Sequence, residues 1–238
     1  MPAVYRLLKQ ITYGTLYLVL AALLISGMVT LIRRALVVPP PPPAIALPSP
    51  LRIEQVAAVR HGKTVDLVAR LRNPNSTLGI RSVTGTFRML ADNGTELATH
   101  NETTYLLPGM IQYLIALDIP NTGAFTKVEL TLNEPTTAAV PATLTLPSFA
   151  TFLRERKQFK SGDRSIEEQT GILRNTSSLD WERIEISGVA LDERDTIIGV
   201  SKTFLGALKG GSQLEFTLQW PAPNRPTSRV IIWPTTNI

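Results

Sequence analysis

Cysteine is absent from the 238 residues, which removes disulfides, thiolate nucleophiles and cysteine-based zinc sites together. Histidine is nearly absent, with only His61 and His100. His61 sits in Arg60-His61-Gly62-Lys63 and His100 in Thr99-His100-Asn101, turn-like contexts without a nucleophile-elbow or oxyanion signature, so both read as surface histidines. Acidic residues are missing from the first fifty positions, where Arg6, Lys9, Arg33 and Arg34 are the only charged side chains. The formal charge of +5, from 24 basic and 19 acidic residues, therefore does not describe a basic domain. From Leu51 onward 20 basic residues face 19 acidic ones, a net of +1, which argues against an electrostatic footprint for nucleic acid.

In the acid-free region, Gln10 to Ile32 forms an uncharged run of 23 residues. As a helix it would extend roughly 35 Å, enough for a hydrocarbon layer of about 30 Å. The boundaries read as a cytoplasmic head over 1–10, a transmembrane helix over 11–34 and a proline-rich stalk over 35–50. A cleaved signal peptide competes, but the run is long for an h-region, no small-x-small site follows, and Arg33-Arg34 closes it. Basic residues flank both ends equally, and the free amino terminus tips the orientation toward a cytoplasmic N-terminus, with the bulk of the chain outside. Seven of the 18 prolines lie between Pro39 and Pro50, and five in succession favour polyproline II, a semi-rigid spacer. An SH3-type ligand is the alternative reading of that segment.

From Leu51 the pattern changes to short alternating runs separated by Gly, Pro and Asn. Tyr113, Ile115, Leu117 and Ile119 fall on one face of a strand, as do Leu214, Phe216, Leu218 and Trp220 on another. A shift of 101 residues lays these two strands on each other, and also Val83 on Ile184, Leu90 on Leu191 and Gly109 on Gly210. Leu71-Arg72-Asn73 matches Leu173-Arg174-Asn175 with a one-residue slip. The chain thus carries two copies of a unit of about 90 residues. Asp92-Asn93-Gly94 is a hairpin signal; its counterpart Asp192 to Asp195 lacks glycine and is expected to form a longer loop. The fold class is all-β, two tandem antiparallel immunoglobulin-like sandwiches over 51–134 and 144–238, with 135–143 as linker. Thr151 to Lys160 finds no counterpart in copy one and reads as an insertion at the start of copy two, a strand that leads into a basic loop.

Gly171, Asn175-Thr176-Ser177, Ala190-Leu191-Asp192, Ile198-Gly199, Leu208, Gly210 and Phe216 resemble the FxLYD domain and the LEA-14-like water-stress domain. Copy one repeats the pattern in Arg72-Asn73-Pro74-Asn75, Leu90-Ala91-Asp92 and Leu107-Pro108-Gly109. The resemblance implies an immunoglobulin-like fold outside a cell envelope, with no catalytic residues to carry over.

Candidate sites are sparse. Arg154, Arg156, Lys157, Lys160 and Arg164 outweigh Glu155 and Asp163 and form a candidate interaction patch for anionic lipid, a wall polymer or an acidic partner. The acids from Asp192 to Asp195 are few for calcium and are interrupted by Arg194. Trp220 reads as core, Trp181 and Trp233 as partly exposed. Sequons occur at Asn75, Asn93, Asn101 and Asn175. The expected protein is a non-enzymatic, single-pass membrane scaffold or adaptor without metal or cofactor. Its partners would be envelope or surface proteins, in a homo- or hetero-oligomer. A subunit of a pilus- or secretion-type machine and a receptor for ligand or wall glycan are the rival readings.

Overall fold

The computed structural model describes residues 2–36, 48–120, 124–140 and 144–236, with side chains of the helix described from Tyr13 to Leu31. The stalk reading rests mainly on Pro39 to Pro43, outside the described residues. Two units are distinguished, Met1–Leu47 and Pro48–Ile238.

In the first unit, α1 (Pro2–Leu36) is a single helix. It continues past both expected ends because the charged flanks contain no helix breaker after Pro2, itself tolerated in a first turn. Tyr13–Leu31, with a mean hydropathy of 2.0, is long and apolar enough to cross a membrane, a property it shares with signal sequences.

The second unit consists of antiparallel β-sandwiches built on one plan. In copy one, β1 (Arg52–His61), β2 (Thr64–Arg72) and β5 (Ile111–Pro120) make one sheet. β3 (Leu78–Leu90), β4 (Glu96–Leu106), β6 (Lys127–Leu132) and the short β7 (Thr136–Ala139) make the other. In copy two, β8 (Phe149–Ser161), β9 (Arg164–Asn175) and β12 (Gln213–Pro221) form the first sheet, and β10 (Ile184–Leu191), β11 (Ile197–Leu205) and β13 (Arg229–Thr235) the second. Each copy encloses its own core. Leu67, Leu71, Phe87, Met89 and Leu114 fill the first; Leu173, Ile186, Phe216, Leu218 and Trp220 fill the second.

The copies share a polar fulcrum. Asn73 and Asn175 are both fully buried. The Asn73 amide donates to the carbonyls of Leu78 (2.7 Å) and Leu107 (3.1 Å), and the Asn175 amide to those of Leu179 (2.7 Å) and Leu208 (3.3 Å). Each side-chain oxygen accepts the backbone N–H two residues on, an Asx turn. A buried amide with both hydrogens used ties the end of one strand to two loops that would otherwise leave carbonyls unpaired. Asn175 is thereby enclosed, so its sequon is structural. Asn75 is likewise occupied, donating to Asn73 Oδ1 (3.0 Å) and the Ser49 carbonyl (2.8 Å).

Four expectations are corrected. β8 is not an insertion: it pairs with β9 as β1 pairs with β2. Gly62 and Gly162 turn the two hairpins at φ 65° and 60°, and the basic residues lie along strands. Thr136–Ala139, read as linker, pairs with β3 from Leu78 to Ser82, because the edge of β3 beyond Gly85 is open after β6 ends. The Asp192–Thr196 turn is no longer than Ala91–Thr95: both close with the same backbone bond, Ala91 N to Thr95 O and Asp192 N to Thr196 O. Asp195 takes φ 59° where Gly94 has 81°. Aspartate tolerates that conformation, and the Asp192 carboxylate fastens the turn by accepting from Arg194 N and Thr196 N at 2.9 Å.

The fourth correction concerns β5. Leu114 and Ala116 face its own core, whereas Tyr113 and Ile115 face the opposite way and are also buried. At Asp118, with φ 55°, a bulge inserts one residue between the Leu67↔Ala116 and Val65↔Ile119 pairs. It returns Ile119 to the core side. Asp66 Oδ1 holds it by accepting from Asp118 N at 2.8 Å. A strand buried on both faces loses its period-two signal. The structural shift over this stretch is 102, since Leu114 and Phe216 occupy equivalent places opposite Ala69 and Gly171, and a one-residue slip exchanges the two faces.

Candidate functional site

The buried second face of β5 belongs to a seam between the sandwiches. Val59, Val68, Tyr113 and Ile115 of copy one pack against Val189, Leu191, Ile197 and Val200 of copy two as a third hydrophobic core. Burying each such side chain is worth up to about 1.5–3 kcal/mol, so the seam joins the sandwiches firmly. Trp233 meets Tyr113 edge-on, with ring centroids 6.2 Å apart and planes at 73°.

Polar contacts border this core. Lys202 Nζ on β11 donates to Glu102 Oε1 on β4 (2.9 Å) and to the Ile115 carbonyl on β5 (3.2 Å). Burial raises the Glu185 carboxyl above its ordinary value, with Lys202 and Ser187 opposing the shift and Glu102 adding to it. At another side, Gln112 Nε2 donates to Thr235 Oγ1 at 3.4 Å. Tyr105 hydrogen-bonds the same threonine, yet burial still pushes its hydroxyl up to about 12. Two atoms there have no hydrogen-bond partner among the described residues: the carbonyl oxygen of Gln112 and the indole N–H of Trp233, both closed to solvent. A buried polar atom without a partner costs about 1–3 kcal/mol. Both residues line one cavity of about 350 Å³, with Tyr105, Met110, Pro147 and Phe149 among its walls.

A second cleft, of about 520 Å³, opens at the hairpin end of the seam and is lined by Arg60, His61, Arg164 and Arg225. Its basic side chains are held in different ways. Arg60 stacks 4.0 Å from the Phe125 ring centroid and donates to the Phe125 carbonyl. Arg225 pairs with Asp192 at 2.9 Å. His61, expected at the surface, is mostly enclosed and bonds the buried Asp66 at 2.9 Å.

The five expected patch residues are dispersed. Arg154 pairs with Glu215 (2.6 Å), Arg156 with the buried Glu167 (3.3 Å) and Lys157 with Glu168 (3.0 Å). Lys160 and Arg164 flank the Gly162 turn and have no carboxylate within ion-pair reach among the described residues. The pairing of strands brings three β8 cations, Arg154, Arg156 and Lys157, to acids on β9 or β12, which the linear charge count does not register. The Asp192 carboxyl is held down at about 2, by the Thr196 N–H first and then by Arg225 and Arg194. Asp195 pairs with Arg229 at 2.8 Å. No group of three or more metal-ligating side chains occurs among the described residues.

Of the three tryptophans, only Trp181 departs from expectation. Trp220 is core, as expected, and its N–H reaches Glu167 at 3.4 Å. Trp181 is buried, bridging Leu208 through the backbone. Trp233, half-buried, stands at the seam. Gln112 and Tyr105 were not singled out in the sequence; the signal that exposes the seam is Thr131 and Glu129 standing where copy two has Trp233 and Ile231.

No family model matches the chain, and no curated protein matches it. Among solved structures, red sea bream transglutaminase is similar over 77% of this chain at 12% identity and a TM-score of 0.26. This chain spans 29% of that one, and a likeness of that score bears on neither fold nor function.

Proposed function

We propose that this protein is a non-enzymatic, membrane-anchored adaptor whose paired sandwiches stand outside the cytoplasm and bind other envelope proteins. The observation that carries the reading is the edge strand β8, on a chain that also holds the apolar span Tyr13–Leu31. β8 borders its sheet on one side and, among the described residues, is paired only with β9. It leaves Phe152 53%, Leu153 46% and Phe159 37% exposed. Exposed aromatic side chains on an open edge suit the addition of a partner strand, where main-chain bonds give affinity and side chains give selectivity. The motifs resembling FxLYD and LEA-14-like domains support the same extracytoplasmic setting.

A photo-crosslinking residue at Phe159 in native membranes tests the proposal. An adduct with one protein at defined stoichiometry is the expected result; a diffuse smear, or none, overturns it. Exchanging Tyr13–Leu31 for an unrelated anchor separates a tether, which keeps the adduct, from a subunit that also packs in the membrane, which loses it.

A further inference from the structure

We infer that the cavity over Gln112 and Trp233 binds an extended, proline-bearing segment of a partner protein. The inference rests on the adaptor reading and assigns it a second contact, separate from β8. Its basis is that two residues lining a single cavity each carry an unpartnered atom, an acceptor on Gln112 and a donor on Trp233, which meet an occupant when the side chains turn toward it. Gln112, 1% exposed, holds its Nε2 on Thr235 and leaves Oε1 without a partner. Trp233 leaves its Nε1–H without one. Buried groups of this kind normally find a partner, and a peptide unit offers the complement: an N–H for Gln112 and a carbonyl for the indole. Trp233 is only half-buried as a residue, which leaves its ring room to turn toward an occupant.

The remaining walls favour proline among peptide side chains. Tyr105, Phe149 and Trp233 supply three aromatic rings, with Pro147 and Met110 between them. Polyproline II segments dock on aromatic-lined grooves because their backbone is already extended and their carbonyls project to indole or hydroxyl donors. Tyr105 contributes its ring, its hydroxyl being bonded to Thr235. At about 350 Å³ the cavity is at the small end of ligand sites, suited to a few residues of a chain. A sugar, with a hydroxyl on nearly every carbon, would meet one free donor and one free acceptor and lose its other hydrogen bonds on entry.

Titrating the full chain in detergent micelles with a fluorescein-labelled peptide of alternating valine and proline pairs, read by anisotropy, tests the inference. Saturable binding is expected, weakened at least about tenfold, the size of one lost buried hydrogen bond, in Trp233→Phe and in Gln112→Leu. Thermal melting should be unchanged or raised in Trp233→Phe, which removes an unpartnered atom, and little changed in Gln112→Leu, where loss of the long Nε2–Thr235 bond offsets removal of the unpartnered Oε1. Absence of saturable binding, equal binding by both variants, or competition by a chitin oligosaccharide in place of unlabelled peptide overturns it. The two readings fail separately: if Phe159 still crosslinks one partner while the peptide does not bind, the cavity inference falls and the adaptor stands.

Discussion

The two sandwiches use opposite faces of one plan. At equivalent places in the second sheet, copy two presents Val200, Val189 and Ile231 in register across β11, β10 and β13. Copy one presents Thr99, Arg88 and Glu129 across β4, β3 and β6. In the first sheet the roles reverse: Val68 beside Ile115 in copy one corresponds to Thr170 beside Thr217 in copy two. The apolar members meet at the seam, while the polar members face outward and are joined by hydrogen bonds such as Thr86 to Asn101 at 2.8 Å and Arg88 to Glu96 at 2.7 Å. Sheets of different rank meet, so the contact is head-to-tail, the kind that could propagate to a third unit. The outward positions Thr99, Arg88, Glu129, Thr170 and Thr217 are polar, as on the capping repeats of a solenoid.

Exchanging residues between the copies tests this difference most severely. Val189→Arg gives copy two what copy one carries at Arg88 and buries a guanidinium in the seam; a loss of about 3–5 kcal/mol in denaturant unfolding is expected. A loss under about 1 kcal/mol, the range of ordinary surface changes, would mean that the seam opens at little cost.

A milder exchange concerns packing within the cores. Gly199 lies against Trp220, and a methyl there would stand 2.5 Å from Cδ1; copy one has Ala98 with Ile119 at these places, both packed on its core. Gly199→Ala should cost about 1–3 kcal/mol by overpacking. Adding Trp220→Ile should make the two changes less costly together than their separate costs predict, and strict additivity in the unfolding cycle would count against the pairing.

The smallest effect is expected at the border of the seam. Because the Glu185 carboxyl is raised above 4.5, the native state binds its proton more tightly than the unfolded chain does. The destabilisation from its charge is fully present above the raised value and vanishes below 4.5. Glu185→Gln should therefore melt higher than the parent at pH 7, with the gap closing as pH falls toward 4.5. A gap that widened on acidification would reverse the assigned direction. Lys202, Glu102 and Arg183 also act on this carboxyl, and the gain is expected to stay small.

Much of the frame was legible because it rests on local rules. The uncharged run of α1, the duplication and the Asp92-Asn93-Gly94 turn all follow from residue type and spacing. What escaped was decided between elements. β5 is apolar on both sides, so period two could not say which side met which core, and the Asp118 bulge shifted the alignment by one. The equivalence of β8 to β1 escaped because a strand facing solvent along most of its length carries little apolar alternation to align. Three of the five patch cations, Arg154, Arg156 and Lys157, are neutralised by acids that lie apart in sequence and come beside them only in the sheet.

The sequence alone determined an apolar N-terminal helix, no thiol chemistry, and two β units of one pattern, since hydrophobic periodicity and turn chemistry act within a few residues. The tertiary structure decided that the units share a third core, which faces stay wet, and that Gln112 and Trp233 face one cavity. Burial is a property of what packs on the far side of a sheet, and only long-range pairing fixes that.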